Sequence, residues 1–161
     1  MSVFTATFTA VAVSAAQDLF ELVAPATSRL EILEIDIGQV SDAGDAAAEM
    51  LGITLVRGNT TSGSGGSTAT PVNLKPWSRA AATTVETNNT TTASNGSPVT
   101  LYSTTFNVQA GWIYRPHRKD GLDDEIISVA AGERFCVRIT APADEVTMSG
   151  TIKFREIGLL G

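Results

Sequence analysis

His117 is the only histidine of the 161-residue chain and Cys136 its only cysteine. Any acid–base, nucleophilic or zinc chemistry would have to be built around one of these two side chains. A hydrolytic triad centred on His117 needs a serine held at a strained turn, and no G-x-S-x-G elbow leads from a strand-like run into a helix-like one. Serines and aspartates are plentiful, so their presence selects no triad, and His117 reads as a loop histidine. Cys136 alternates with Phe135 and Val137 as a small packed side chain of a strand does. A single thiol excludes an intrachain disulfide and a thiolate cluster, and one His with one Cys cannot complete a structural zinc site. The acidic groups at Asp42 and Asp45, and at Asp120, Asp123, Asp124 and Glu125, do not match the spacing of a calcium loop. An irregular calcium site between loops stays open.

The glycine-rich run "GSGGSTATP", Gly63 to Pro71, invites comparison with a phosphate loop. Backbone N–H groups cradle phosphates there at a helix N-terminus, with a Lys and a Ser or Thr close behind. The run has no Lys, and Pro71 stands where the helix should be running. A dinucleotide-binding turn fails for the same reason, because the following residues are too rich in Thr, Pro and Asn to form its helix. No catalytic, cofactor-binding or metal-ligating residue is assigned, and the chain reads as a protein that is not an enzyme.

Aromatic and basic side chains offer a different function, contact. Trp77, Trp112, Tyr102 and Tyr114 could form a stacking platform for a sugar, but such residues also anchor cores and interfaces. Only 6% of the chain is aromatic, so packing or subunit contact has the first claim on them. The segment "RPHRK", Arg115 to Lys119, is followed at once by "DGLDDE", which offsets its charge and makes it a solvated or interface loop. Trp77, Trp112, Tyr114, Arg115, His117 and Arg118 are therefore the candidate contact residues. The chain carries a formal charge of −6 and a sequence pI near 4.7, which provides no footprint for a phosphate backbone and argues against direct nucleic-acid binding. No stretch approaches the roughly 20 apolar residues of a membrane span. The N-terminal run lacks the basic segment of a secretory leader, and Thr5, Thr7 and Thr9 interrupt it, so synthesis in a cytoplasm is expected.

The elements that must position these residues show a period of two. In "VFTATFTAVAV", Phe4, Ala6, Phe8, Ala10 and Ala12 share a face. "DLFELVA", Asp18 to Ala24, is a second strand, and "SRLEILEIDIGQV", Ser28 to Val40, a third. In the third, Leu30 and Ile32 are out of phase with Leu33, Ile35 and Ile37, which predicts a bulge near Ile32 or burial on both sides. "SDAGDAAAEML" is the best helical candidate, with Asp45 capping Ala46 to Met50. "LGITLVRG" returns to strand, "ATTVETNN" reads as an edge strand, and Val99 to Val108 as another strand. At the end, Phe135, Val137 and Ile139 face one way. Val146, Met148, Ile152 and Phe154 face the core of a final strand, with Gly150 in the apolar register to admit a large neighbour.

Eight to ten strands with almost no helix, and no room for a βαβ unit, predict an all-β fold. The expected architecture is an antiparallel two-sheet sandwich, jelly-roll-like, with long polar loops and a single domain over residues 1–161. Asn59 to Trp77 is expected as one of these loops. Pro71 and Pro76 would stiffen it, Trp77 would anchor its return, and a neighbouring subunit would be its contact.

The stretches "SDAGDAAAEMLGITLVRGNTTSGSGGS", "TPVNLKPW", "TTVETNNTT", "FNVQAGWIYRP" and "APADEVTMSGTIKFREIG" together resemble the small virion structural proteins of tailed bacteriophages. A sandwich of this size is most similar to a head decoration or cement protein. The resemblance implies a homotrimer bound to the major capsid protein on the outer surface of the head, reinforcing the lattice, and brings no catalytic residues. Tail or head–tail components and a carbohydrate-binding sandwich, using Trp77, Trp112 and Tyr114, are the competing expectations. The N-terminal strand could pair with a neighbour's open sheet edge, so that losing Met1 to Ser14 would weaken assembly more than folding.

Overall fold

Alternating apolar and polar side chains can bury one face only when strands pair into sheets and the sheets stack. The computed structural model describes residues 2–40, 49–116 and 125–158. Among them lie β1 Ser2–Val13, β2 Gln17–Val23, β3 Ser28–Gln39, β4 Met50–Thr61, β5 Ser67–Ala69, β6 Val72–Asn73, β7 Thr84–Asn89, β8 Ser94–Asn107, β9 Trp112–Tyr114, β10 Ser128–Val129, β11 Arg134–Ile139 and β12 Val146–Gly158. They form two six-stranded sheets, one ordered β10-β3-β12-β1-β6 with β9 also on β3, the other β5-β7-β2-β11-β4-β8. All strand pairings are antiparallel. The long strands β1, β2, β3 and β4 alternate between the sheets, and β11 and β12 return to lie beside β2 and β1. This is the winding of a jelly roll.

Buried apolar residues from both sheets form one cluster. Phe4, Phe20, Phe135 and Phe154 are its largest fully buried members, and Phe4 stacks on Phe154 with ring centroids 5.7 Å apart. Each contributes roughly 1.5–3 kcal/mol by leaving water. The inward phase expected for β11 and β12 is the observed one. Gly150 also does what its register predicted, since a Cβ there would stand 2.6 Å from the Phe8 ring and 2.8 Å from Ile37 Cδ1.

One expectation about a single element, the bulge near Ile32, is met, and two need correction. The phase change in β3 is a bulge at Leu33, skipped between Lys153↔Glu34 and Phe154↔Ile32, and it brings Leu30, Ile32, Ile35 and Ile37 all to the core. In β1 the inward phase fails after Phe8. Thr9 and Ala10 together oppose Ser149, Ala10 takes φ +53°, and Val13 rather than Ala10 or Ala12 is buried. The Ser149 hydroxyl accepts the Ala10 N–H at 2.9 Å and holds this bulge. β7 is not an edge strand, because β5 pairs along its outer side.

Of the proposed helix, residues 41–48 lie outside the described residues, while Met50 and Leu51 belong to β4. No helix occurs among the described residues, and hence none long and apolar enough to cross a membrane. On one side of β1 its own β12 pairs along nearly the whole length, and on the other β6 pairs with Phe4 and Thr5.

Candidate functional site

The residues between β4 and β8 decide the shape of the molecular surface. They add β5 and β7 to the β2 edge of one sheet and β6 to the β1 edge of the other. The stretch from Asn59 to Trp77 is thus not one open loop. Asn59 to Thr61 finish β4, β5 and β6 are short strands, and the glycines let the chain lie flat on β7. A Cβ on Gly63 would stand 2.3 Å from the Thr91 carbonyl oxygen, and one on Gly66 2.2 Å from that of Thr87. No side chain fits at either distance.

Beneath this flap lies a buried polar network. Gly63 N–H donates to Glu21 Oε2 at 2.8 Å and Gly66 N–H to Asn89 Oδ1 at 3.2 Å. Asn89 Nδ2 donates to Glu21 Oε2 at 3.0 Å and to Glu86 Oε2 at 2.8 Å, tying the flap to two adjacent strands. Arg134 lies 3.6 Å from Glu21 Oε1 and donates to Ser62 Oγ at 2.9 Å. Next to it Arg138 donates two bonds to Asp18, at 2.7 and 3.2 Å, and a third to the Ala93 carbonyl at 3.0 Å. The Asp18 carboxylate raises the Arg138 pKa above its ordinary value, against the opposing effect of burial. Cys136 sits between these pairs. Burial, with Asp18 and Glu21 adding to it, pushes its thiol far above the ordinary range, so it is a packed group and not a thiolate.

After β6 the chain bends back through the segment that carries Trp77. Leu74 N–H donates to the Val3 carbonyl at 3.0 Å, and Asn73 Nδ2 to the Arg79 carbonyl at 2.9 Å. The anchor that follows is Glu156, whose side chain is fully buried. Oε1 accepts the N–H groups of Ala82 and Thr83 and the Thr83 hydroxyl at 2.7–2.8 Å, and Arg79 lies 2.7 Å from Oε2. Burial works against its charge, but the Thr83 and Ala82 hydrogen bonds and the Arg79 guanidinium outweigh it and hold the carboxyl below the usual range. Trp77 does not anchor this return as expected. It is 83% exposed, and Val72 and Leu74 beside it are also exposed, at 63% and 56%.

The opposite side of the sandwich, where β8 faces β9, is closed by aromatic rings. Tyr102, Trp112 and Tyr114 pack with centroids 5.7–6.3 Å apart. Arg57 crosses between the sheets to donate to the Ser128 carbonyl at 2.6 Å. An open depression of about 340 Å³ lies beside these rings, lined in part by Arg57, Leu101, Tyr102 and Tyr114. Burial raises the Tyr114 pKa, with Tyr102 and Glu125 adding to it.

The candidate contact residues are thereby separated. Trp77 is free on one side of the molecule, whereas Trp112 is 8% exposed and belongs to the core, which corrects its assignment as a contact or sugar-stacking surface. The indole is buried because Trp112 pairs with Ile37 of β3. Tyr114 is half-buried in the aromatic cluster. Arg115 Nε donates to Glu34 Oε2 at 3.1 Å and Lys153 Nζ to Oε1 at 2.9 Å, and these two partners hold the Glu34 carboxyl below its usual range. His117 and Arg118 lie outside the described residues.

The buried acids escaped the sequence reading, although one signal was present. Glu156 follows Met148, Ile152 and Phe154 in the same inward phase. No protein-family model matches the chain, and no curated protein or solved structure does. No group of three or more His, Cys, Asp or Glu side chains able to hold a metal occurs among the described residues.

Proposed function

We propose that this chain is a structural protein of a tailed-bacteriophage virion, a decoration or cement protein that binds the major capsid protein on the outside of the head as a homo-oligomer. The reading rests on the sequence resemblance, and one observation gives it a contact point: the exposed indole of Trp77. A large aromatic side chain is costly to leave in water, and Trp is among the commonest residues to dominate an interface. Val72 and Leu74 extend the apolar patch, and the bonds to Asn73, Val3 and Glu156 hold the segment in place. A braced segment loses little conformational freedom on binding, which favours affinity.

Undecorated heads of the parent phage, incubated with the purified protein, test the reading by co-sedimentation. Wild-type protein is expected to saturate a fixed number of sites, and Trp77→Ala to weaken binding by about tenfold or more, as loss of a dominant interface side chain does. Wild-type protein that fails to bind heads overturns the proposal. Binding unchanged by Trp77→Ala removes Trp77 from the contact. Electron microscopy that finds the protein on the tail moves the site of action without changing its structural role.

A further inference from the structure

The four sheet edges are finished very differently. Three end in strands of two or three residues, β5, β6, and the pair β9 and β10 on β3. Beyond the short cover of β6, β1 is interrupted by its bulge at Thr9 and Ala10 and packs towards β5 and β7. The fourth edge is β8, which has 14 residues, contains no charged residue and, among the described residues, pairs only with β4. Folded proteins normally protect a long edge with charges, proline, bulges or a covering segment, because its unpaired N–H and C=O groups template further pairing. The first half of β8 is protected in this way, by Pro98 and by a bulge at Leu101. From Tyr102 to Asn107 the register with β4 is regular, with no charge, proline or bulge, and no described strand covers the outer side.

We infer that the Tyr102 to Asn107 edge of β8 pairs antiparallel with the same edge of a second copy of this chain, about a two-fold axis at Thr104. Self-complementarity of the strand favours this occupant. With the axis perpendicular to the sheet, Thr104 meets its own copy, Ser103 meets Thr105, and Tyr102 meets Phe106. Hydroxyl pairs and aromatic pairs are among the favourable cross-strand neighbours, and like charges directly opposite are the unfavourable ones. The chain carries −6 overall, yet this strand brings no like charge to itself. Tyr102 and Phe106 oppose the buried Leu55 and Leu51, so they lie on the inner face. Pairing would therefore extend the Tyr102, Trp112 and Tyr114 cluster across the axis and cover Tyr102, which is 38% exposed. Ser103 and Thr105 lie on the outer face, exposed, where substitution spares the core. A two-fold contact is isologous, each copy using the same patch.

This inference needs only the chain itself and does not depend on the virion reading. Sedimentation equilibrium of the purified full chain should give a concentration-dependent dimer of twice 16.8 kDa. Ser103→Lys with Thr105→Lys sets like charges against each other across the axis, and is expected to raise the dimer dissociation constant by roughly tenfold or more. Ser103→Lys with Thr105→Glu sets opposite charges there and should restore dimerisation, which a variant that merely misfolds cannot do. Thr104→Cys provides a second readout, since two copies at the axis should cross-link on oxidation, and Cys136 is too buried to compete. A wild-type monomer overturns the inference, and so does a trimer of the kind the resemblance implies. A dimer indifferent to both charge combinations and not cross-linked through Thr104→Cys overturns it equally.

Discussion

Glu156 shows how one side chain can fix a segment that the alternation of apolar residues leaves undefined. Its carboxylate sits at an inward position of β12 and survives burial because two backbone N–H groups, the Thr83 hydroxyl and Arg79 surround it. The folded protein holds its pKa below the unfolded value, as it does for Glu34. The stability that these groups contribute is therefore present above the ordinary carboxylate range, and is lost as pH falls through the depressed folded values. The melting temperature should be level near neutral pH and decline on acidification. Glu156→Gln should cost about 1–3 kcal/mol at neutral pH by leaving bonded partners poorly matched, and its acid decline should be shallower. Parallel acid limbs in calorimetry of the two proteins would assign that pH dependence elsewhere.

At the scale of elements, the glycine-rich flap is explained by close approach, not by ligand binding. Gly63 and Gly66 bring backbone against backbone and supply N–H donors to Glu21 and Asn89. Gly66→Val should lift the flap from β7 and destabilise the fold by about 1–3 kcal/mol, as overpacking does, measured by chemical denaturation. An unchanged midpoint would mean that the flap does not bear on stability. The bulges divide by how legible they are. In β3, Leu30 and Ile32 fall out of phase with Ile35 and Ile37, so the sequence itself points to an extra residue or to burial on both faces, and the pairing with β12 decides for the first. In β1, Ala10 and Ala12 satisfy an apolar phase as well as Val11 and Val13 do. Only pairing with Ser149 and Met148 of β12 selects the register.

For the whole molecule, β1 is an interior strand of its sheet, contributing Phe4, Phe8 and Val13 to the core. At roughly 1.5–3 kcal/mol for each buried side chain, its loss approaches the 5–15 kcal/mol that holds a typical domain together. Removal of residues 1–14 should therefore abolish cooperative folding and not merely assembly, as circular dichroism and thermal melting would show. A truncated protein that still melts cooperatively would contradict the core assignment of β1. The period of two, the uninterrupted apolar phases of β11 and β12, and the inward register of Gly150 were determined by the sequence alone, because side-chain direction in a strand follows from local geometry. The sequence could not say which strands meet. The burial of Trp112 against β3, the exposure of Trp77 and the buried Glu21, Asp18 and Glu156 all depend on partners distant in the chain. So does the contrast, among the described residues, between the β1 and β2 edges, where further strands pair, and the β8 edge, where none does. Those were decided by the tertiary structure, since the same residue is buried or exposed according to what its neighbours in space leave uncovered.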